Sequence, residues 1–289
     1  PPPPLYQPDQ GIRVWSVTGV QTCALPIWLD GLYAEHLMHG GNRIPVMFTM
    51  CFNACLVHGC LPANLIKSVI VPVIKDKAGD VSDKGNYRPI ALTSVVSKVL
   101  ESVLLSIINF YLETSDYQFG FKAKHSTDLC IYAMKETIQY YRKRSSPVFI
   151  CFMDASKAFD RINHWTLFNK LCDRGVPAVI VRLMLVWDRT QTICVRWGTC
   201  ISEAFSVTNG VRQGGILSPR LFNVYIDDLS VKLSSSHAGC TIGGHVINHF
   251  AYADDLVLLC PSVKGLQELI GICANYEKIH DISYNPTKT

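Results

Sequence analysis

Phe250-Ala251-Tyr252-Ala253-Asp254-Asp255-Leu256-Val257-Leu258-Leu259 sets two adjacent carboxylates between two apolar runs. Each run is too short for a helix and suits a strand, so the stretch predicts a tight β-hairpin with the acids at its turn. Like charges side by side repel, and a hard divalent cation is the usual reason to keep them together. Mg²⁺ prefers carboxylate oxygen, leaves positions open for phosphates and cancels the repulsion. An ordinary exposed turn is the competing reading, because Asp is favoured in turns for its local hydrogen bonds.

About a hundred residues upstream, residues 148–153 form an unbroken apolar run that ends on Asp154. Such a run predicts a strand buried on both faces, delivering a carboxylate at its C-terminal end. Capping of a following helix is a second role open to Asp154. The chain of 289 residues, 48% hydrophobic, is long enough for one large or two modest cores. A net charge of +4 mildly favours a polyanionic partner. Twelve cysteines follow no disulfide-framework spacing, and no secretory leader pattern opens the chain, so an intracellular setting is expected. No apolar run approaches the roughly 20 residues of a membrane span; Arg182 interrupts the run over 179–186, for example. No membrane association is expected.

Residues 30–65 carry apolar residues at helical spacing, closing at Gly59 with Pro62 beyond, and read as two helices. Cys51, Cys55, His58 and Cys60 match no paired Cys-x-x-Cys knuckle, and the three cysteines are read as buried and packing as small hydrophobes. Residues 68–74 are apolar and largely β-branched, hence a strand; a polar turn over 75–85 follows, and then a helix over 95–111.

Five blocks carry a resemblance to a known family. They are Asn86-Tyr87-Arg88-Pro89-Ile90-Ala91-Leu92; Gln118-Phe119-Gly120-Phe121-Lys122 with Ser126-Thr127; Phe152-Met153-Asp154-Ala155-Ser156-Lys157-Ala158-Phe159-Asp160; Asn209-Gly210-Val211-Arg212-Gln213-Gly214-Gly215-Ile216-Leu217-Ser218-Pro219; and Ala251-Tyr252-Ala253-Asp254-Asp255. In this order they resemble the reverse transcriptase of non-LTR, LINE-type retrotransposons. The resemblance implies an α+β right-hand polymerase fold, with fingers over 28–147 and a ferredoxin-like βαββαβ palm over 148–289, the thumb missing. Residues 17–27 resemble the conceptual translation of a short-read sequencing adapter, so 1–27 is expected to be non-native and outside the fold.

The same resemblance implies the roles of individual residues. Asp154, Asp254 and Asp255 are the expected catalytic residues and metal ligands, holding two Mg²⁺ ions, with Mn²⁺ as a substitute. Arg88 and Lys122 are expected to close over the triphosphate, Gln213 to lie against nucleotide and template, and Phe159 to sit beneath the incoming sugar. Lys288 resembles a lysine placed to protonate pyrophosphate. Lys157 and Asp160 are read as structural pairing residues. The implied partners are an RNA template, a DNA primer and deoxynucleoside triphosphates. The Val211-Arg212-Gln213-Gly214 order resembles LINE-type elements more than group II intron proteins, which place Pro before that Gln. An intron-type enzyme and an inactive remnant that keeps an RNA-binding fold stay open as alternatives.

Overall fold

The computed structural model describes residues 31–285; the 1–27 segment and Lys288 lie outside them. In chain order the elements are α1 (Ala34–His39), α2 (Arg43–His58), α3 (Ala63–Ile66), β1 (Lys67–Ile74), β2 (Tyr87–Thr93), α4 (Val95–Ile108), α5 (Thr127–Arg142), β3 (Phe149–Asp154), α6 (His164–Asp173), α7 (Ala178–Thr190), β4 (Thr192–Trp197), β5 (Cys200–Ile201), β6 (Phe205–Ser206), α8 (Ser218–Ser235), β7 (Cys240–Ile242), β8 (His245–Ile247), β9 (His249–Tyr252), β10 (Asp255–Cys260) and α9 (Val263–His280). Local chemistry sets several boundaries. Gly59 ends α2 in the left-handed region at φ +63°, and the hydroxyls of Ser94, Ser126 and Ser262 accept N–H bonds at the starts of α4, α5 and α9.

The palm is an antiparallel sheet in the order β3-β10-β9. Short backbone pairings extend it on both sides: Ala155 bridges Tyr284 beyond β3, and Gln118 bridges Ala251 beyond β9. Counting the pairing at Tyr284, the order matches the ferredoxin-like pattern expected from the resemblance. Cross-strand partners share a face. Met153, Leu256, Leu258 and Ala251 therefore line one face and join the main core with α6, α7, α8 and α9. The opposite face carries Phe250, Val257 and Leu259, which pack with Phe119 and α5.

That division corrects the expectation for β3. The strand is not buried on both faces: Phe149 and Phe152 are exposed, because the elements packed on the sheet leave these parts of β3 uncovered. Most of the 86–92 block, for which no strand was expected, lies in β2, which pairs antiparallel with β1 from Ile74↔Tyr87 to Ser68↔Thr93. β1 also pairs parallel with β4, so a segment from beyond the first palm strand completes the fingers sheet. Of the cysteines read as buried in the N-terminal helices, Cys55 is buried, whereas Cys51 and Cys60 are exposed. By length and composition alone, Val95–Leu112 is apolar enough to cross a membrane. In the fold its Leu100, Leu104 and Ile108 are fully buried in the main core.

A buried ion pair joins the two regions. Glu101 on α4 meets the Arg212 guanidinium at 3.0 Å, and Arg212 lies 4.6 Å from the centroid of the buried Trp187 ring. The other Glu101 oxygen accepts the backbone N–H groups of Ile216 and Leu217, where the chain enters α8. Removing one partner of such a pair strands a buried charge. Arg212→Met should therefore cost about 3–5 kcal/mol, and combining it with Glu101→Gln should return part of that loss. Urea denaturation of the three chains measures both steps; a parent-like midpoint for Arg212→Met would show that the pair contributes nothing net.

Candidate active site

The hairpin expected at residues 250–259 is present. Tyr252 pairs with Asp255, so only Ala253 and Asp254 form the turn, and Ala253 takes φ +57°. A left-handed backbone is costly for a residue with a Cβ, which makes this a turn held by its surroundings. On the other side of β10, Asp255 pairs directly with Asp154, the last residue of β3. Residues far apart in sequence thus meet as a cross-strand pair, with their side chains on one face and Asp254 at the adjoining turn. Asp154 and Asp254 are half-buried, and Asp255 is exposed.

Burial pushes the Asp254 carboxyl above the usual carboxylate range, and the Asp255 and Asp154 charges push it further. Its own backbone N–H and the Arg88 charge act against that rise. Three carboxylates gathered at one hairpin end make a donor set suited to a hard divalent cation, because oxygen is the donor such ions choose. Among the described residues no three acidic, His or Cys side chains are grouped closely enough to hold an ion.

Other expected site residues are distributed as follows. Arg88 is exposed on β2 opposite Val73, near enough to the turn for its charge to act on Asp254. Gln213 is hung between the regions: its carbonyl accepts the Ala91 N–H at 2.7 Å, and its amide nitrogen donates to Asp160 at 3.3 Å. At Gly214, φ is +115° and a Cβ would stand 2.7 Å from the Ala91 oxygen, so glycine is required there by both conformation and space. Phe159 is half-buried in a short 3-10 turn, stacked on Phe222 at 4.6 Å and edge-on to Phe121 at 6.1 Å. Its ring is thus anchored by the core beside the strand end that carries Asp154. Lys122 is engaged elsewhere. Its ammonium donates to the carbonyls of Thr114 and Ser115 and lies 3.6 Å from the Asp116 carboxylate, closing the loop before α5.

Two functional-site neighbours had no signal of their own in the sequence. Glu101 reads there as one more polar residue on a helix, yet it fixes the loop carrying Gln213. Gln118, buried, divides its amide between the hairpin turn and its own segment: its oxygen accepts the N–H groups of Ala253 at 2.9 Å and Gly120 at 2.8 Å, and its nitrogen donates to the Ala253 carbonyl at 3.1 Å. The family block containing Gln118 marks the stretch but not this contact.

The palm sheet, the paired acids and the fingers sheet together define a polymerase fold. Residues 74–289 match the family model described as reverse transcriptase (RNA-dependent DNA polymerase), and the chain belongs to that family. Within it, the similar proteins come from non-LTR retrotransposons. The Pol polyprotein of the R2 element of Popillia japonica is 28% identical over 280 residues, covering 92% of this chain and 38% of its own length. That of the Drosophila melanogaster element R2DM is 30% identical over 249 residues, covering 82% and 22%. The Drosophila melanogaster polymerase from transposon BS is 27% identical over 262 residues, covering 86% and 28%. The chain thus spans less than two fifths of the length of these relatives. Among solved structures, apo telomerase from Candida tropicalis superposes with a TM-score of 0.56 at 11% identity, over 86% of this chain and 49% of that one. At that identity the likeness speaks for the fold.

The Asp254 shift has a consequence for stability. Its folded-state proton affinity is raised, so the native state holds the proton more tightly than the unfolded chain does. Stability therefore falls as pH rises from the ordinary value of 3.8 through the raised one, and the loss is complete above it. In EDTA, Asp254→Asn should melt above the parent near pH 7, with the gap closing toward pH 4. Millimolar Mg²⁺ at neutral pH should raise the parent's melting temperature more than the variant's. Parallel melting curves across this pH range would exclude a raised proton affinity at Asp254.

Proposed function

We propose that this chain carries the fingers and palm of an RNA-directed DNA polymerase from a non-LTR retrotransposon, acting inside the cell. It extends a primer 3′-hydroxyl with deoxynucleoside triphosphates on an RNA template by two-metal phosphoryl transfer. The observation that carries this reading is the pairing of Asp154 with Asp255 beside the Asp254 turn, facing a fingers sheet that presents Arg88. Two Mg²⁺ ions, or Mn²⁺ in their place, held by Asp154, Asp254 and Asp255, would lower the pKa of the primer hydroxyl and neutralise the departing pyrophosphate. The chain's own residues supply orientation and charge. Arg88 offers a delocalised cation to the triphosphate from the fingers side. Gln213 is held by Ala91 and Asp160, so its loop lies between fingers and palm, where nucleotide and template would meet. Positioning and charge stabilisation supply most of the catalysis of phosphoryl transfer, and few other side chains are needed.

Primer extension on an RNA template with Mg²⁺ tests the assignment. Asp154→Asn and Asp254→Asn should each lose at least ~10²–10³ in rate, the scale of losing one electrostatic stabiliser. The exposed Asp255 should tolerate the change better. Parent-like rates in Asp154→Asn would sink the reading.

Phe159 supports a finer proposal about sugar choice. A ring fixed by Phe222 cannot swing away, so a ribose 2′-hydroxyl above it would be crowded. Overpacking of about 1–3 kcal/mol corresponds to roughly 5- to 150-fold discrimination. Phe159→Val should raise ribonucleotide incorporation while leaving deoxynucleotide incorporation within a few-fold. The ratio of kcat/KM for the two substrates on one primer–template measures it; an unchanged ratio with a lowered melting temperature would make Phe159 a core residue only.

A further inference from the structure

We propose that Gln118 is a positioning residue for the candidate reaction, holding the left-handed turn at Ala253 so that Asp254 keeps its aim; this rests on the polymerase reading of the site. A primary amide is suited to the task. Its oxygen accepts from Ala253 N and Gly120 N, and its nitrogen donates to Ala253 O, so one side chain holds both polar groups of the residue before Asp254. No carboxylate, hydroxyl or ammonium combines donor and acceptor in that spacing, and a carboxylate would add charge beside repelling acids.

Three further observations make the contact a brace and not a chance bond. The segment that carries Gln118 joins the palm sheet: Phe119 N donates to Ala251 O and Ala251 N to Tyr117 O, both at 2.8 Å. Gly120 presses against the turn, since a Cβ there would lie 2.3 Å from Ala253 N and 3.1 Å from Ala253 Cβ. The buried Asn223 of α8 donates to Gly120 O at 2.7 Å, tying the brace to the core helix. The conformation it braces, φ +57° at an alanine, is one that the isolated chain disfavours. Without the amide, two buried N–H groups and a carbonyl lose their partners, and the turn is free to leave that conformation. Asp254 would then be presented to an ion or a triphosphate in a spread of orientations.

The full chain is tested as parent, Gln118→Met and Gly120→Ala. Methionine keeps the length and apolar body of Gln118 without its hydrogen bonds, and alanine at 120 pushes on the turn from the same side. Single-turnover primer extension on an RNA template, well below the melting transition, gives the rate per active site, with burst amplitude counting active sites. Both variants should lose on the order of 10²-fold in that rate, the scale of a small misplacement of a reacting group. Primer–template affinity, read by fluorescence anisotropy, should match the parent. Mn²⁺ affinity, measured by electron paramagnetic resonance without substrate, should weaken ~10-fold, as when the support of a ligand is removed. Adding Ala253→Gly to Gln118→Met should restore part of the rate, because glycine adopts the left-handed turn without strain. If Gln118→Met lowers only burst amplitude and melting temperature, with parent values for rate per site and Mn²⁺ affinity, Gln118 is a packing residue and the proposal falls. A parent that binds Mn²⁺ yet extends no primer would sink the polymerase reading instead, and the Mn²⁺ affinities of the variants would still decide the brace.

Discussion

Three carboxylates at one corner of a sheet constrain the rest of this structure. Asp154 faces Asp255 across β3 and β10, and Asp254 sits in the turn beside them, so the register of one strand pair sets the spacing of the whole group. A slip of one residue would turn Asp154 to the other face, into the apolar core that holds Met153 and Leu256. Burying the apolar faces of β3 and β10 against α8 and α9 is therefore also what fixes the chemistry. Burial of the Asp254 carboxyl, with the Asp255 and Asp154 charges beside it, opposes folding locally, and that core must hold against it.

The sheet is supported from both sides at the level of the acids. Ser156 N bonds Ser283 O at 2.7 Å and Asn285 N bonds Asp154 O at 2.8 Å, which pins the end of β3 from outside. Residues 117–120 do the same beyond β9. Behind them, His249 is fully buried between Ser230 at 2.6 Å and Asn248 at 2.7 Å, and burial lowers its pKa to about 4, so it stays neutral near pH 7. Its hydrogen bonds satisfy a buried imidazole at the end of β9 away from the turn, where it pairs with Leu258.

Fingers and palm share their packing. One core cluster runs from Phe52 on α2 to Ile282 beyond α9, and the loop with Gln213 bonds both to β2 and to the turn that holds Phe159. Val211 N reaches Phe159 O, Gly210 N reaches Ile162 O, and Glu101 receives the far end of the loop. A residue expected at the nucleotide is thus suspended from three elements, which limits how far it can drift relative to the acids. Lys122 shows the converse: its cation is tied to its own loop, so among the residues expected on the triphosphate the fingers turn Arg88 toward the acids.

The sequence by itself determined what local chemistry and pattern can dictate. The hairpin at 250–259 follows from two short apolar runs around two acids, the end of α2 from Gly59, and the family from five ordered blocks. It placed Asp154 at a strand end but misjudged β3 as buried on both faces, because an apolar run records hydrophobicity and not which parts of each face other elements cover. Strand β2 stayed hidden for a related reason: Pro89 lowers strand propensity, and only pairing with β1 compensates. The tertiary structure alone decided which distant groups meet. The Asp154–Asp255 register, the Glu101–Arg212 pair, the diversion of Lys122 and the grip of Gln118 on Ala253 all join residues well separated in the chain or bent back on it. Such contacts depend on how whole elements dock, and nothing in the spacing of neighbours along the chain encodes them.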